Sequence, residues 1–124
     1  MSFDWSQYLN LAKELAGQAT GPAGPEARSR SALSRAYYAL LCLARNHLRD
    51  KEGLSIPRNK VHTYVIEQFK DSPDSTRSQF GHDLDRLRWD RNKADYDDYF
   101  PRFDYIATLD MLLAEQLLIT LAKL

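Results

Sequence analysis

A single cysteine, Cys42, stands among the 124 residues, so no internal disulfide can form, and a reducing cytoplasm is the expected setting. No segment alternates apolar and polar side chains with period two, so the signature of a half-buried strand is missing. There is no glycine-rich phosphate loop and no recognisable Ser/His/Asp order. No two of the three histidines, His47, His62 and His82, have metal-ligand spacing. Neither a metal nor a cofactor is therefore expected. The opening Met1-Ser2-Phe3-Asp4-Trp5 lacks the basic segment and apolar run of a secretory signal. The longest apolar region, near the C-terminus, is interrupted by Asp110, Glu115 and Lys123, so no membrane span is expected.

What is present fits one soluble domain, residues 1–124, with a single core. Apolar residues make up 44% and charged residues 27%, ordinary values for a globular chain. The formal net charge of zero hides an uneven distribution. Residues 26–60 carry eight positive and three negative side chains, whereas residues 61–124 carry eight positive and twelve negative. The basic quarter can face RNA phosphates, or it can pair with the acidic half of the same chain or of a partner subunit.

The breakers divide the chain into about five helices, an all-α antiparallel bundle. Asp4 followed by Gln7 resembles an N-cap with its capping-box partner. Trp5, Tyr8, Leu9, Ala12, Leu15 and Ala19 then recur at helical spacing, which predicts a first helix over 5–18. The Gly21-Pro22-Ala23-Gly24-Pro25 segment ends it. From Glu26 to about Glu52 neither glycine nor proline occurs, and roughly 40 Å of helix is expected at 1.5 Å per residue. Leu33, Ala36, Tyr37, Leu40, Ala44, His47 and Leu48 form its core stripe, with His47 read as a hydrogen-bonded core histidine. Ser31, Arg35, Tyr38, Cys42, Arg45 and Arg49 form the opposite face, either an RNA or partner surface or a solvated one. A third helix is predicted from about Pro57 to Lys70, with Val61, Tyr64, Val65 and Phe69 inward, and a fourth from about Asp74 to Asp95. Pro101 should start the fifth, which runs to Leu124. Its stripe is Phe103, Ile106, Leu113, Ala114, Leu117, Leu121 and Leu124. Leu109, Leu112 and Ile119 fall outside that stripe, as on a central helix or at an oligomer interface.

The stretch from Leu84 to Tyr99 holds the candidate chemistry. At roughly 100° per residue, Phe80, Leu84, Leu87, Arg91 and Ala94 share one stripe with Asp95 at its edge. A guanidinium aimed inward is costly unless satisfied, and Asp95 lies four residues on. Arg91-Asn92-Lys93-Ala94-Asp95-Tyr96-Asp97-Asp98, with Ser34-Arg35-Ala36-Tyr37-Tyr38-Ala39 upstream, resembles the HEPN family (higher eukaryotes and prokaryotes nucleotide-binding domain). The resemblance implies a HEPN-like bundle and a homodimer that brings two motifs together. Active members of that family resemble metal-independent ribonucleases, with an arginine followed, after four to six intervening residues, by a histidine near the end of this helix. Arg91 matches the arginine, and no histidine occupies positions 92–98.

Cleavage through the 2′-hydroxyl needs a proton acceptor near neutral pH and a guanidinium for the phosphorane charge. Asp95 and Tyr96 have ordinary pKa values of about 3.9 and 10, poorly suited to that acceptor role. The resemblance therefore points to a binding or regulatory module of a toxin–antitoxin or defence system. The alternative is a ribonuclease toxin with a rearranged site at Arg91, Asp95 and Tyr96, and a third reading is a nucleotide-binding domain serving a larger enzyme. A nucleotidyltransferase partner would modify Tyr96 or Tyr99; a larger defence protein, RNA or a nucleotide are the other expected partners. Arg35, Tyr38, Arg45 and Arg49 are the expected binding residues. Asp95, Asp97 and Asp98 read as a solvated loop in preference to a cation site. Trp89 lies off the stripe, either for a partner or beneath the N-terminal helix.

Overall fold

The computed structural model describes residues 2–17 and 21–124. Five helices form an all-α bundle: α1 (Ser6–Gly17), α2 (Pro25–Asp50), α3 (Val61–Lys70), α4 (Ser75–Tyr96) and α5 (Phe103–Lys123). No strand occurs among the described residues. Ala19, expected on the first helix, lies outside them.

The long second helix is the axis, packing against each of the other four. Pro25 opens α2, where its missing N–H costs nothing. Every residue of its expected core stripe is buried, and Ala32, Ala39 and Leu41 are buried as well. The alanines along α2 leave room for neighbouring helices, and Phe69, Phe80, Leu84, Leu87 and Leu117 share one apolar core with Tyr37 and Leu40. His47 is buried, with Nε2 3.2 Å from the Glu52 carboxylate. Arg35 and Arg45, on the opposite face, stack over Tyr8 and Trp5 (4.9 and 5.6 Å). Cys42 is buried, while Arg49 is exposed beside Asp50. This face is thus partly a seat for the α1 aromatics.

Helix starts differ from expectation where the backbone turns left-handed. Lys60 has φ 56°, so α3 begins at Val61, four residues beyond Pro57, and only Val65, Ile66 and Phe69 are buried on it. Arg102 has φ 59°, and α5 begins at Phe103, two residues after Pro101. A helix cannot run through either residue. The Asp4 carboxylate accepts from the Ser6 N–H and Oγ, a shorter reach than a capping box. Asp74 caps α4, accepting from the Arg77 N–H at 2.8 Å.

Carbonyls at and just beyond the C-terminal end of α4 are bound from α2. Arg30 donates to the oxygens of Ala94, Asp97 and Asp98 while its guanidinium lies over Phe100. Gly81 lets α4 approach the end of α3; a Cβ there would lie 2.3 Å from the Lys70 nitrogen. By length and hydropathy α5 could cross a membrane, but its inner face packs on α2 and α4. That face is Ala107, Asp110, Met111, Ala114, Leu117 and Leu121. Phe103, Ile106 and Leu113 are half-buried and Leu124 is exposed, so the inner stripe is rotated from the one expected.

Candidate functional site

Arg91 lies at the middle of a polar network between α2, α3 and α4. It is 7% exposed, with its guanidinium 5.2 Å from the Tyr37 ring centre and 4.8 Å from that of Tyr38. Adjacent tyrosines on a helix point about 100° apart, so Tyr37 dips into the core while Tyr38 stays at its edge. One Arg91 nitrogen donates to the Tyr38 hydroxyl and another to the Asn92 side-chain oxygen at 2.6 Å. Its Nε is 3.2 Å from the Asp95 carboxylate, the i,i+4 contact expected from the sequence. The geometry is off-line for a hydrogen bond, so Nε is charge-paired but has no conventional acceptor.

Asp95 links this arginine to α2. Its carboxylate accepts from the Ser34 hydroxyl at 3.3 Å, and Arg35 donates to the same hydroxyl oxygen at 3.4 Å. Arg35 also stacks on Tyr38, at 5.5 Å. On the other side, the Tyr37 hydroxyl and His62 Nδ1 share a hydrogen bond of 2.7 Å, and the two rings stack. Burial, followed by the charges of Arg88 and Arg91, holds the His62 pKa below its ordinary value. Burial raises the Tyr37 phenol well above its ordinary range, so its hydroxyl stays protonated. Arg88 completes the group, donating to the Thr63 hydroxyl at 3.4 Å.

The expected site residues are therefore divided. Arg91 and Asp95 meet, and Arg35 and Tyr38 from the second helix join them. Tyr96 and Tyr99 are 76% and 81% exposed and are not among the hydrogen-bonding, stacking or ion-pair partners of Arg91. Tyr96 instead borders a surface cleft with Trp89, Asn92, Lys93 and Asp97. Trp89 is 65% exposed, so no N-terminal helix covers it. Arg45 and Arg49 sit further along α2, beside α1 and at the helix end. No cluster of metal-ligating side chains occurs among the described residues.

His62 and Arg88 were not singled out from the sequence. Helical periodicity places residues on one helix but not across three. The available signal for Arg88 was its position three residues before Arg91, the spacing of neighbours on one helix face.

A second buried polar group lies between α4 and α5. Asp110 is 1% exposed, with Asp90 as the group beside its carboxyl. Burial and that neighbour raise its pKa far above the carboxylate range, Arg86 opposing weakly. With no conventional donor to Asp110 Oδ2, a proton held by Asp110 is what lets the two carboxyls lie together. Set against known proteins, this chain matches no family profile, no curated protein and no solved structure.

Proposed function

We propose that this chain is a HEPN-like helical binding or regulatory module of the toxin–antitoxin or defence kind, holding a phosphate-bearing partner such as RNA without cleaving it. One observation carries this reading. The Arg91 guanidinium is already engaged by Asp95, Tyr38 and Asn92, and no histidine follows it where the resemblance calls for one. Its charge is compensated within the fold, so little is left for a developing phosphorane. Arg35 and Arg88, both half-buried, flank it and supply the attraction for a phosphate backbone.

The direct test is binding of a labelled single-stranded RNA, followed by anisotropy at several salt concentrations. Arg35→Ala and Arg88→Ala should each weaken binding and lower the salt slope by about one. Purified protein should leave the RNA intact. Absence of binding at low salt would remove the proposal.

A second reading, ribonuclease activity, is favoured by His62. A histidine kept neutral beside two arginines is the kind of proton acceptor that Asp95 and Tyr96 are not. RNA cleavage lost in both His62→Gln and Arg91→Lys, with the fold retained, would establish it over the binding reading.

A further inference from the structure

The inner face of α5 holds one residue that core packing does not explain. Ala107, Met111, Ala114, Leu117 and Leu121 bury apolar side chains there, and Asp110 stands among them at 1% exposure. An acid so deeply buried is normally met by a base or by several donors. Asp110 has neither. Its Oδ2 lacks a hydrogen-bond partner, and the group beside its carboxyl is Asp90 of α4, a second acid. No ion pair among the described residues includes Asp90 or Asp110. Asp110 also lines a cleft of about 380 Å³ at the α4–α5 seam, together with Arg86, Leu109, Leu112 and Leu113.

We infer that this cleft binds a small aliphatic ammonium ion, its nitrogen donating to the Asp110 and Asp90 carboxyls and its hydrocarbon chain lying on Leu109, Leu112 and Leu113. Two adjacent acids with an unmet acceptor call for a ligand that brings both positive charge and N–H groups. A primary ammonium offers three donors from one compact centre, and charge-assisted bonds of that kind are the strong ones. The leucines set the rest of the ligand. Leu109 and Leu113 are half-buried and Leu112 is 65% exposed, so the wall stays apolar from the bundle interior out to solvent. Such a wall disfavours a hydrated divalent cation, which needs about six oxygen ligands. No third metal-ligating side chain joins the two acids among the described residues.

Arg86 stands at the lip of this cleft, exposed and four residues before Asp90 on α4. Its charge is the last of the influences on Asp110. A guanidinium so placed pairs with neither acid and can turn to solvent when a cation enters. Asp90 and Arg86 are the charged groups that act on Asp110, and α1 and α2, also packed on α5, contribute none. In the free protein a proton on Asp110 lets the two carboxyls lie together, and burial with Asp90 raises its pKa to about 9. The arriving ammonium takes over the proton's role. One proton therefore leaves the carboxyl for solvent as each ligand binds, and the net charge in the cleft is unchanged. The site shares no residue with the Arg91 network, so it is independent of the ligand proposed there.

Isothermal titration calorimetry of the full chain with n-hexylamine tests the inference. Binding should saturate at one ligand per chain and tighten about tenfold from pH 6.5 to pH 7.5. It should release about one proton, read from titrations in buffers of different ionisation enthalpy. Hexyltrimethylammonium, which has the charge without the N–H groups, and n-hexanol, which has no charge, should each bind at least about tenfold more weakly. Asp110→Asn should weaken hexylamine binding at least about tenfold while its melting curve shows the fold intact. Arg86→Ala should tighten binding, because a like charge is removed from the lip. Absence of saturable binding at millimolar amine, an affinity independent of pH, or equal binding by hexyltrimethylammonium would each overturn the site. So would undiminished binding by Asp110→Asn or weaker binding by Arg86→Ala. Magnesium binding that is lost in Asp110→Asn would replace the ammonium with a metal ion.

Discussion

At the scale of single residues, Arg91 decides between a structural and a reactive role. Its side chain is almost fully buried, whereas Asp95 keeps about a quarter of its side chain exposed. Losing the arginine also removes stacking on two tyrosines, so Arg91→Ala should cost about 2–4 kcal/mol and Asp95→Asn about 1. The double variant should lose less than the sum by at least about 0.5 kcal/mol, because an orphan charge is no longer left behind. Urea denaturation of the three variants measures the cycle, and additive near-zero effects would contradict a structural pair.

Two other residues give opposite pH slopes. Folded His62 resists protonation, so its contribution is whole above about pH 6.5 and is lost as pH falls through that value toward the lower folded one. His62→Gln should flatten that acid-side decline in melting temperature. Asp110 holds a proton in the fold that the unfolded chain gives up above about pH 4. Its penalty therefore grows as pH rises, and Asp110→Asn should stabilise the protein by on the order of 1–2 kcal/mol at pH 8, less toward pH 4. A melting temperature at pH 8 no higher than that of the parent would refute this. The Arg91–Asp95 contact was legible because it lies within one helix. Asp110 was not, since an acid in an apolar helix reads as a surface position until a neighbouring helix closes over it.

At the scale of elements, the close approach of α4 to α3 rests on one hydrogen atom. Gly81→Ala would improve helix propensity by up to about 1 kcal/mol. Its Cβ, however, would meet the backbone of Phe69 and Lys70, which cannot swing aside as a side chain could. A net loss of about 1–3 kcal/mol is expected in chemical denaturation, and a more stable variant would show that α3 shifts freely. The sequence revealed the long second helix readily, because Ala36, Tyr37, Leu40, Ala44 and Leu48 repeat on one period with no breaker between them. It misplaced the start of α3 because Pro57 resembles a first-turn residue. The true stop, a left-handed Lys60, leaves no mark in a residue type that rarely adopts that conformation. The rotated inner stripe of α5 has a related cause. That helix is apolar on two sides, so its period alone cannot say which side faces the core.

At the scale of the whole molecule, the charge asymmetry is partly spent internally. Arg28 and Arg30 bind backbone oxygens, and Arg30 does so on α4, far along the chain from α2. Arg30→Ala should therefore fray the end of α4, seen as faster amide exchange over residues 94–100 with the N-terminal half of α4 unchanged. Equal exchange in both proteins would leave that cap without energetic weight. The two tryptophans are placed very differently in this framework. Trp5 packs edge-on against Phe3 and Tyr8 beneath Arg45, whereas Trp89 stands open to solvent beside the cleft next to Tyr96. The chain consequently carries its own pair of optical reporters. Emission quenched first by a soluble quencher belongs to Trp89 and follows events on α4, while the shielded remainder from Trp5 follows the docking of α1.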